Sequence, residues 1–204
     1  MRIALIDYRA GNLTSVKKAF AAIGADLFVP RQPSELADAG AVVVPGVGHF
    51  GATETLAVDW TDTIRRGIEA GRPLLGICLG LQWLYEGSAE APELKGLGLL
   101  SGQCYRLPGG SGATSVKVPH VGWNALDIQR PDSIVEGVAP GSQVYFTHSF
   151  VAPITDETVA VTVHGQPFAA VVQRGRVAAV QFHPEKSGEV GLTILRNFLR
   201  LADS

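Results

Sequence analysis

Cys78 lies in Gly76-Ile-Cys78-Leu-Gly80, a G-x-nucleophile-x-G pattern with cysteine at the reactive position. Apolar Leu74 to Ile77 reads as a short buried strand before it, and Leu79 to Glu86 reads as a helix after it. Flanking glycines permit a strained turn that lifts the side chain above the sheet. The helix start favours a thiolate, and the Leu79 N–H is placed to donate to an oxyanion. A buried structural cysteine is the ordinary alternative, but here motif and context agree on a nucleophile. Cys104, in GQCYRL, has no such setting and reads as core.

A thiol nucleophile needs a base, and the histidines are His49, His120, His148, His164 and His183. In QFHPE, His183 closes an apolar strand and Glu185 follows two residues later. A chain extended across Pro184 would turn both side chains to one side. Glu185 would then hold one imidazole nitrogen while the other takes the thiol proton. His148, in YFTHSF, is a second candidate base that residue reasoning leaves open. A metal site from Cys78, His183 and Glu185 also stays open, although the spacing matches no compact zinc signature.

The stretch VVVPGVGHFG carries Gly46-x-Gly48-x-x-Gly51 directly after an apolar run. A dinucleotide fold places that pattern after its first strand, with an acid at the tip of the next one. Here it follows the third strand, and the next strand ends in Cys78. The context fails, and the alternative is a loop whose backbone N–H groups reorient to hold an oxyanion.

These residues need a frame. Arg2 to Ile6, Asp26 to Val29, Ala41 to Val44 and Leu74 to Ile77 read as buried strands. Helical patterns follow Asn12 (apolar Leu13, Val16, Phe20 and Ile23) and span Asp59 to Ala70. In the second half, Val116–Val118, Ala125–Ile128, Gln143–Phe146, Val159–Val163, Ala169–Gln173 and Val177–Phe182 are strand-like. Turn residues such as Pro108-Gly109-Gly110, Gly141 and Arg174-Gly175 separate them, and a last helix covers about Ser187 to Ala202. The expectation is α/β: one three-layer domain over residues 1–204, with a mainly parallel central sheet and antiparallel additions in the C-terminal half.

The 204 residues are 46% apolar and 18% charged, enough for one well-filled core. Net charge is −2 with no basic run, which sets nucleic acid aside as a partner. No apolar run approaches the length of a spanning helix, and MRIALIDY is too short for a signal sequence. The expectation is a soluble cytoplasmic protein with reduced cysteines and no membrane contact.

PGVG at 45–48, GICLGLQ at 76–82 and FHPE at 182–185, in this order and spacing, resemble the class I glutamine amidotransferases over nearly the whole chain. DYRAGNL at 7–13, PHVGWN at 119–124, and YFTHSF with HPEKSG narrow the resemblance to the glutaminase subunits of imidazole glycerol phosphate synthase. Relatives serving guanylate, anthranilate or aminodeoxychorismate synthesis share the triad but lack PHVGWN. The pyridoxal-phosphate synthase glutaminase differs at the oxyanion loop.

The resemblance implies a flavodoxin-like fold, no cofactor and no metal. It implies that Cys78 forms a γ-glutamyl thioester, with His183, oriented by Glu185, moving the protons. Leu79 and a loop N–H near Val47 or Gly48 would hold the oxyanion. Gly46, Gln82, Ser149 and Phe150 would position glutamine. Asn12, His120, Trp123, Asn124 and Lys186 would face a synthase (cyclase) subunit, a (β/α)8 barrel that makes a heterodimer with this chain and receives its ammonia. Ammonia there would convert a phosphoribulosyl-formimino intermediate to imidazole glycerol phosphate and aminoimidazole carboxamide ribotide. Arg9 stands where relatives often carry a small residue, and Phe150 replaces the more usual tyrosine.

Residues alone also allow a thiol hydrolase on another amide or ester. They allow a non-catalytic interaction module built on Trp123, and a nucleotide binder, which a cofactor titration would test. Peptidase-like relatives usually place histidine after the cysteine, where this chain has Leu79.

Overall fold

The structure, a computed structural model, describes residues 2–11, 13–56, 58–109 and 116–203. Strands β1 (Arg2–Leu5), β2 (Asp26–Phe28), β3 (Ala41–Val44) and β4 (Leu74–Ile77) lie parallel in the order β2-β1-β3-β4. Beyond β4 comes β13 (Val177–Val180), also parallel, and then β12 (Gln166–Arg174), β11 (Thr158–His164) and β8 (Asp127–Ile128), all antiparallel. The eight-stranded sheet is thus parallel where helices alternate with strands, and antiparallel where hairpins do.

Strands β3, β4 and β13 are buried throughout, because both faces of the sheet are covered. Ile3, Leu5, Val43 and Leu75 pack on one face against α1 (Leu13–Ala22) and α4 (Gly188–Asp203), through Phe20, Ile194 and Phe198. Ala4, Val42 and Val44 pack on the other against α2 (Val58–Glu69) and α3 (Leu79–Leu84), through Ile64, Leu79 and Leu81. This is the expected three-layer α/β arrangement.

Smaller ribbons complete the chain. Strand β7 (His120–Ala125) pairs antiparallel with β9 (Gln143–His148). Strand β6 (Gln103–Arg106) lies between β5 (Gly87–Ser88) and β10 (Phe150–Val151). Three local expectations change. Val116 to Val118 form no strand; the ribbon starts at His120 instead. The helix after Cys78 ends at Leu84, because Tyr85 takes extended backbone and its side chain is fully buried. Strand β13 stops at Val180, and Phe182 lies beyond it. Gly110, from the expected turn, lies outside the described residues. Among the described residues, no helix is long and apolar enough to cross a membrane.

Candidate active site

Cys78 joins β4 to α3 with φ 54° and ψ −103°, a sparsely populated backbone conformation that costs an L-residue about 1–3 kcal/mol. Hydrogen bonds hold it there. The Cys78 N–H donates to Val180 O at 2.7 Å, and the Gln82 N–H donates to Cys78 O at 3.1 Å. A close approach completes the turn: a methyl group on Gly80 would fall 1.8 Å from Val44 O. Only glycine lets α3 sit this near β3. The cysteine therefore stands at the C-terminal end of the sheet's centre.

The neighbouring strand β13 delivers the base. His183 N–H donates to Tyr145 O at 2.9 Å, and the Ser187 hydroxyl fastens the following turn by donating to His183 O at 2.6 Å. Pro184–Lys186 form a turn of 3-10 helix, not the extended segment expected across Pro184. The turn brings Glu185 Oε1 to 2.7 Å from His183 Nδ1, with both side chains almost fully buried. Nε2 of His183 is buried without a nitrogen or oxygen partner, which leaves it for Cys78. Burial pulls the His183 proton affinity down. The negative charge and hydrogen bond of Cys78, and then those of Glu185, outweigh it and raise the imidazole to about 10. The imidazole is therefore held protonated, as a donor facing Cys78.

His148, the other candidate base, has no carboxylate hydrogen-bonded to it among the described residues. Its Nε2 meets His120 Nδ1 at 3.2 Å, and His120 stacks on His164 with ring centroids 4.0 Å apart. Burial, then the neighbouring His120, push His148 down to about 3, while burial and then His164 push His120 down to about 4. Both are neutral in the folded protein at neutral pH. Their folded values lie below the unfolded one, so the unfolded chain binds more protons in acid. Their share of the stability is complete above pH 6.5 and falls from there towards pH 4. The midpoint of urea unfolding should drop between pH 6.5 and 5, above the range where carboxylates titrate, and His148→Gln should flatten that slope. A flat wild-type profile would contradict it.

A cleft of about 280 Å³ opens over Cys78, lined by Gln82, Glu90, His148, Ser149 and Phe150, with Val47 and Gly48 at its edge. Gln82 is buried, not a helix-surface residue; its Nε2 donates to Phe150 O at 2.9 Å and to Gln181 Oε1 at 3.3 Å. The contact to Phe150 uses its backbone, so the missing tyrosine hydroxyl does not affect it. Leu79 N–H, the expected oxyanion donor, is engaged by Gly46 O at 3.3 Å. Arg9 occupies φ 62°, a conformation uncommon for any residue that carries a Cβ.

Sequence reasoning missed two members of the site. Gln181 Nε2 donates to Cys78 Sγ at 3.6 Å; a fully buried glutamine closing the run VAAVQF was the available signal. Glu90 accepts Phe50 N–H at 2.7 Å while lining the cleft, and nothing in SAEAPELKG marks it. A larger cavity of about 760 Å³, around Ile128, Arg130, Val135 and Val138, contains none of these residues.

Of the residues expected to face a partner, His120, Trp123, Asn124 and Lys186 do not line the cleft, although His120 touches His148, which does. Trp123 is 57% exposed and sits in β7, not in a loop. It packs edge-on to Tyr145 with centroids 6.0 Å apart, and Lys186 Nζ lies 5.7 Å from the same ring. Exposed Val121 and Val163 extend this face. Asn124 donates to Val163 O at 3.0 Å. His120 is buried beneath the face, not on it. Asn12 lies outside the described residues.

Residues 4–202 match the family model for the class-I glutamine amidotransferases. The chain is 45% identical over 200 residues to the imidazole glycerol phosphate synthase subunit HisH of Methanothermobacter thermautotrophicus, covering 98% of each chain. It is 44% identical over 208 residues to the HisH subunit of Aquifex aeolicus, covering 100% of this chain and 98% of that one. A crystal structure of a glutamine amidotransferase superposes with a TM-score of 0.76 at 23% identity, over 98% of this chain and 99% of the other. A glutamine amidotransferase from Thermotoga maritima gives 0.69 at 16% identity, over 100% and 99%. With a cysteine elbow, a carboxylate-held imidazole and a match of this extent, the chain belongs to the class-I glutamine amidotransferases, on the branch of the HisH subunits.

Proposed function

We propose that this chain hydrolyses glutamine to glutamate and ammonia as the glutaminase subunit of an imidazole glycerol phosphate synthase, in the cytoplasm. It passes the ammonia to a (β/α)8 synthase subunit bound as a heterodimer. One observation carries the chemistry: Glu185 holds Nδ1 of His183 and leaves Nε2 for the thiol on the strained turn.

The Cys78 sulfur attacks the glutamine carboxamide, forming a C–S bond, and the carbonyl oxygen becomes an oxyanion. His183 protonates the amide nitrogen, the C–N bond breaks, and ammonia leaves a γ-glutamyl thioester. Water then attacks, giving a proton to His183, and the C–S bond breaks to release glutamate and the thiolate. Gln82, Ser149, Phe150 and Gly46 position the substrate. The carboxylate of Glu90 is an acceptor-only group suited to the ammonium end of an amino acid. Glu90→Gln keeps an acceptor for Phe50 N–H but removes the charge, so KM for glutamine should rise about tenfold or more with kcat little changed. An unchanged KM would remove Glu90 from the substrate site.

Gly46 O occupies the Leu79 N–H that the oxyanion requires. Hydrolysis by the chain alone is therefore slow until the loop at 45–48 turns, and partner binding at the Trp123 face supplies that turn. Ammonia release from glutamine, measured for the chain alone and with the synthase subunit and its nucleotide ligand, tests the reading. A large rise in the complex supports it; no release in either state overturns it.

A further inference from the structure

The phenol of Tyr8 is unused by this chemistry, yet it is buried beside it. Its hydroxyl has no hydrogen-bond partner among the described residues, an arrangement that costs about 1–3 kcal/mol if permanent. The hydroxyl lies against Gly46: a methyl group on Gly46 would fall 2.0 Å from Tyr8 Oη and 2.8 Å from Leu79 Cβ. The segment around it is anchored, since Thr55 Oγ1 donates to Tyr8 O at 2.9 Å. A methyl group on Gly11 would come 3.2 Å from Gly46 Cα and 3.3 Å from Val47 N, so residues 8–11 press on the Gly46–Val47 peptide itself. Burial, then the charge of Cys78, hold the phenol protonated, which keeps it a donor.

In a trans peptide, N–H and C=O point in opposite directions. While Gly46 O accepts from Leu79, Val47 N–H points away from Leu79. Turning that peptide frees the Leu79 N–H and swings Val47 N–H towards the oxyanion position, and it strips the Gly46 carbonyl of its donor. From the unpaired phenol beside Gly46 we infer that Tyr8 is a positioning residue whose hydroxyl receives the Gly46 carbonyl when this peptide turns, so that it stabilises the assembled oxyanion hole. Tyr8 touches neither substrate nor the reacting atoms. The inference rests on the glutaminase reading and assigns the donor that the resting loop lacks.

Tyr8→Phe keeps the ring and removes only the donor. In the complex with the synthase subunit and its nucleotide ligand, kcat for glutamine hydrolysis should fall about three- to tenfold, the worth of one hydrogen bond. KM should stay unchanged, and the melting temperature of the variant chain should be equal to or above that of the wild type, because an unpaired buried hydroxyl is gone. Wild-type kcat in the variant complex would overturn the inference, and so would a raised KM accompanied by a lower melting temperature, the mark of a merely structural role. A wild-type complex that releases no ammonia would overturn the glutaminase reading first, and this inference with it.

Discussion

Ammonia release from glutamine falls by at least about three orders of magnitude in Cys78→Ala, because no other group can form the thioester. On the proposed reading glutamine binding persists, since Gln82 and Phe150 are held to each other by a bond that does not involve the sulfur. The turn should hold as well: alanine and cysteine bear the same penalty at φ 54°, and the backbone bonds to Val180 O and from Gln82 N–H remain. Calorimetry should find a Kd for glutamine within about threefold of the wild type, the effect expected of one minor contact. A small electrophile should label Cys78 before Cys104, whose thiol is fully buried and pushed up by that burial. Hydrolysis that survives the substitution would mean a different nucleophile.

Gly80→Ala should be the most damaging single-methyl change near the site. The new carbon would fall 1.8 Å from Val44 O, a backbone atom in a buried central strand that cannot rotate away. Either α3 or β3 must shift by more than an ångström, which costs about 3 kcal/mol or more. For a chain this long that lowers the melting temperature by about 6–12 °C. Activity should fall as well, because the same shift moves Cys78 away from β13. Gly109→Ala is the control, its new carbon meeting, among the described residues, only Val118 Cγ2 at 3.9 Å. Equal melting temperatures for the two variants would show that the approach of α3 to β3 is not tight.

The central sheet was legible because its strands are apolar on both faces. Ala41–Val44 and Leu74–Ile77 were readable to the residue, each bounded by glycine or proline. The strand-turn-helix setting of Cys78 was legible too, as the elbow is a local motif. The ribbon holding Trp123 was not: HVGWN has neither an apolar run nor clean alternation, and its strand character comes from pairing with β9. The link between His183 and Glu185 was legible in outcome but not in geometry, since Pro184 starts a tight turn instead of continuing the strand. Glu90, Gln181 and Tyr8 lie 12 or more positions from Cys78 in sequence and come near it only through the fold, and periodicity carries no trace of such approaches.

Cys78 and His183 follow adjacent strands, joined by Cys78 N–H to Val180 O, while Val47 and Gly48, proposed to hold the oxyanion, lie in a loop. Their vulnerabilities are therefore unequal. Damage to the sheet silences the enzyme outright. On the proposed reading, damage to the loop alone leaves the chemistry running without its restraint, and a cell carrying such a variant would bleed nitrogen from its glutamine pool while its enzyme looked intact. Selection would then act against two opposite defects, inactivity and leakage, and the second would go unseen in any assay that scores only the finished product of the complex.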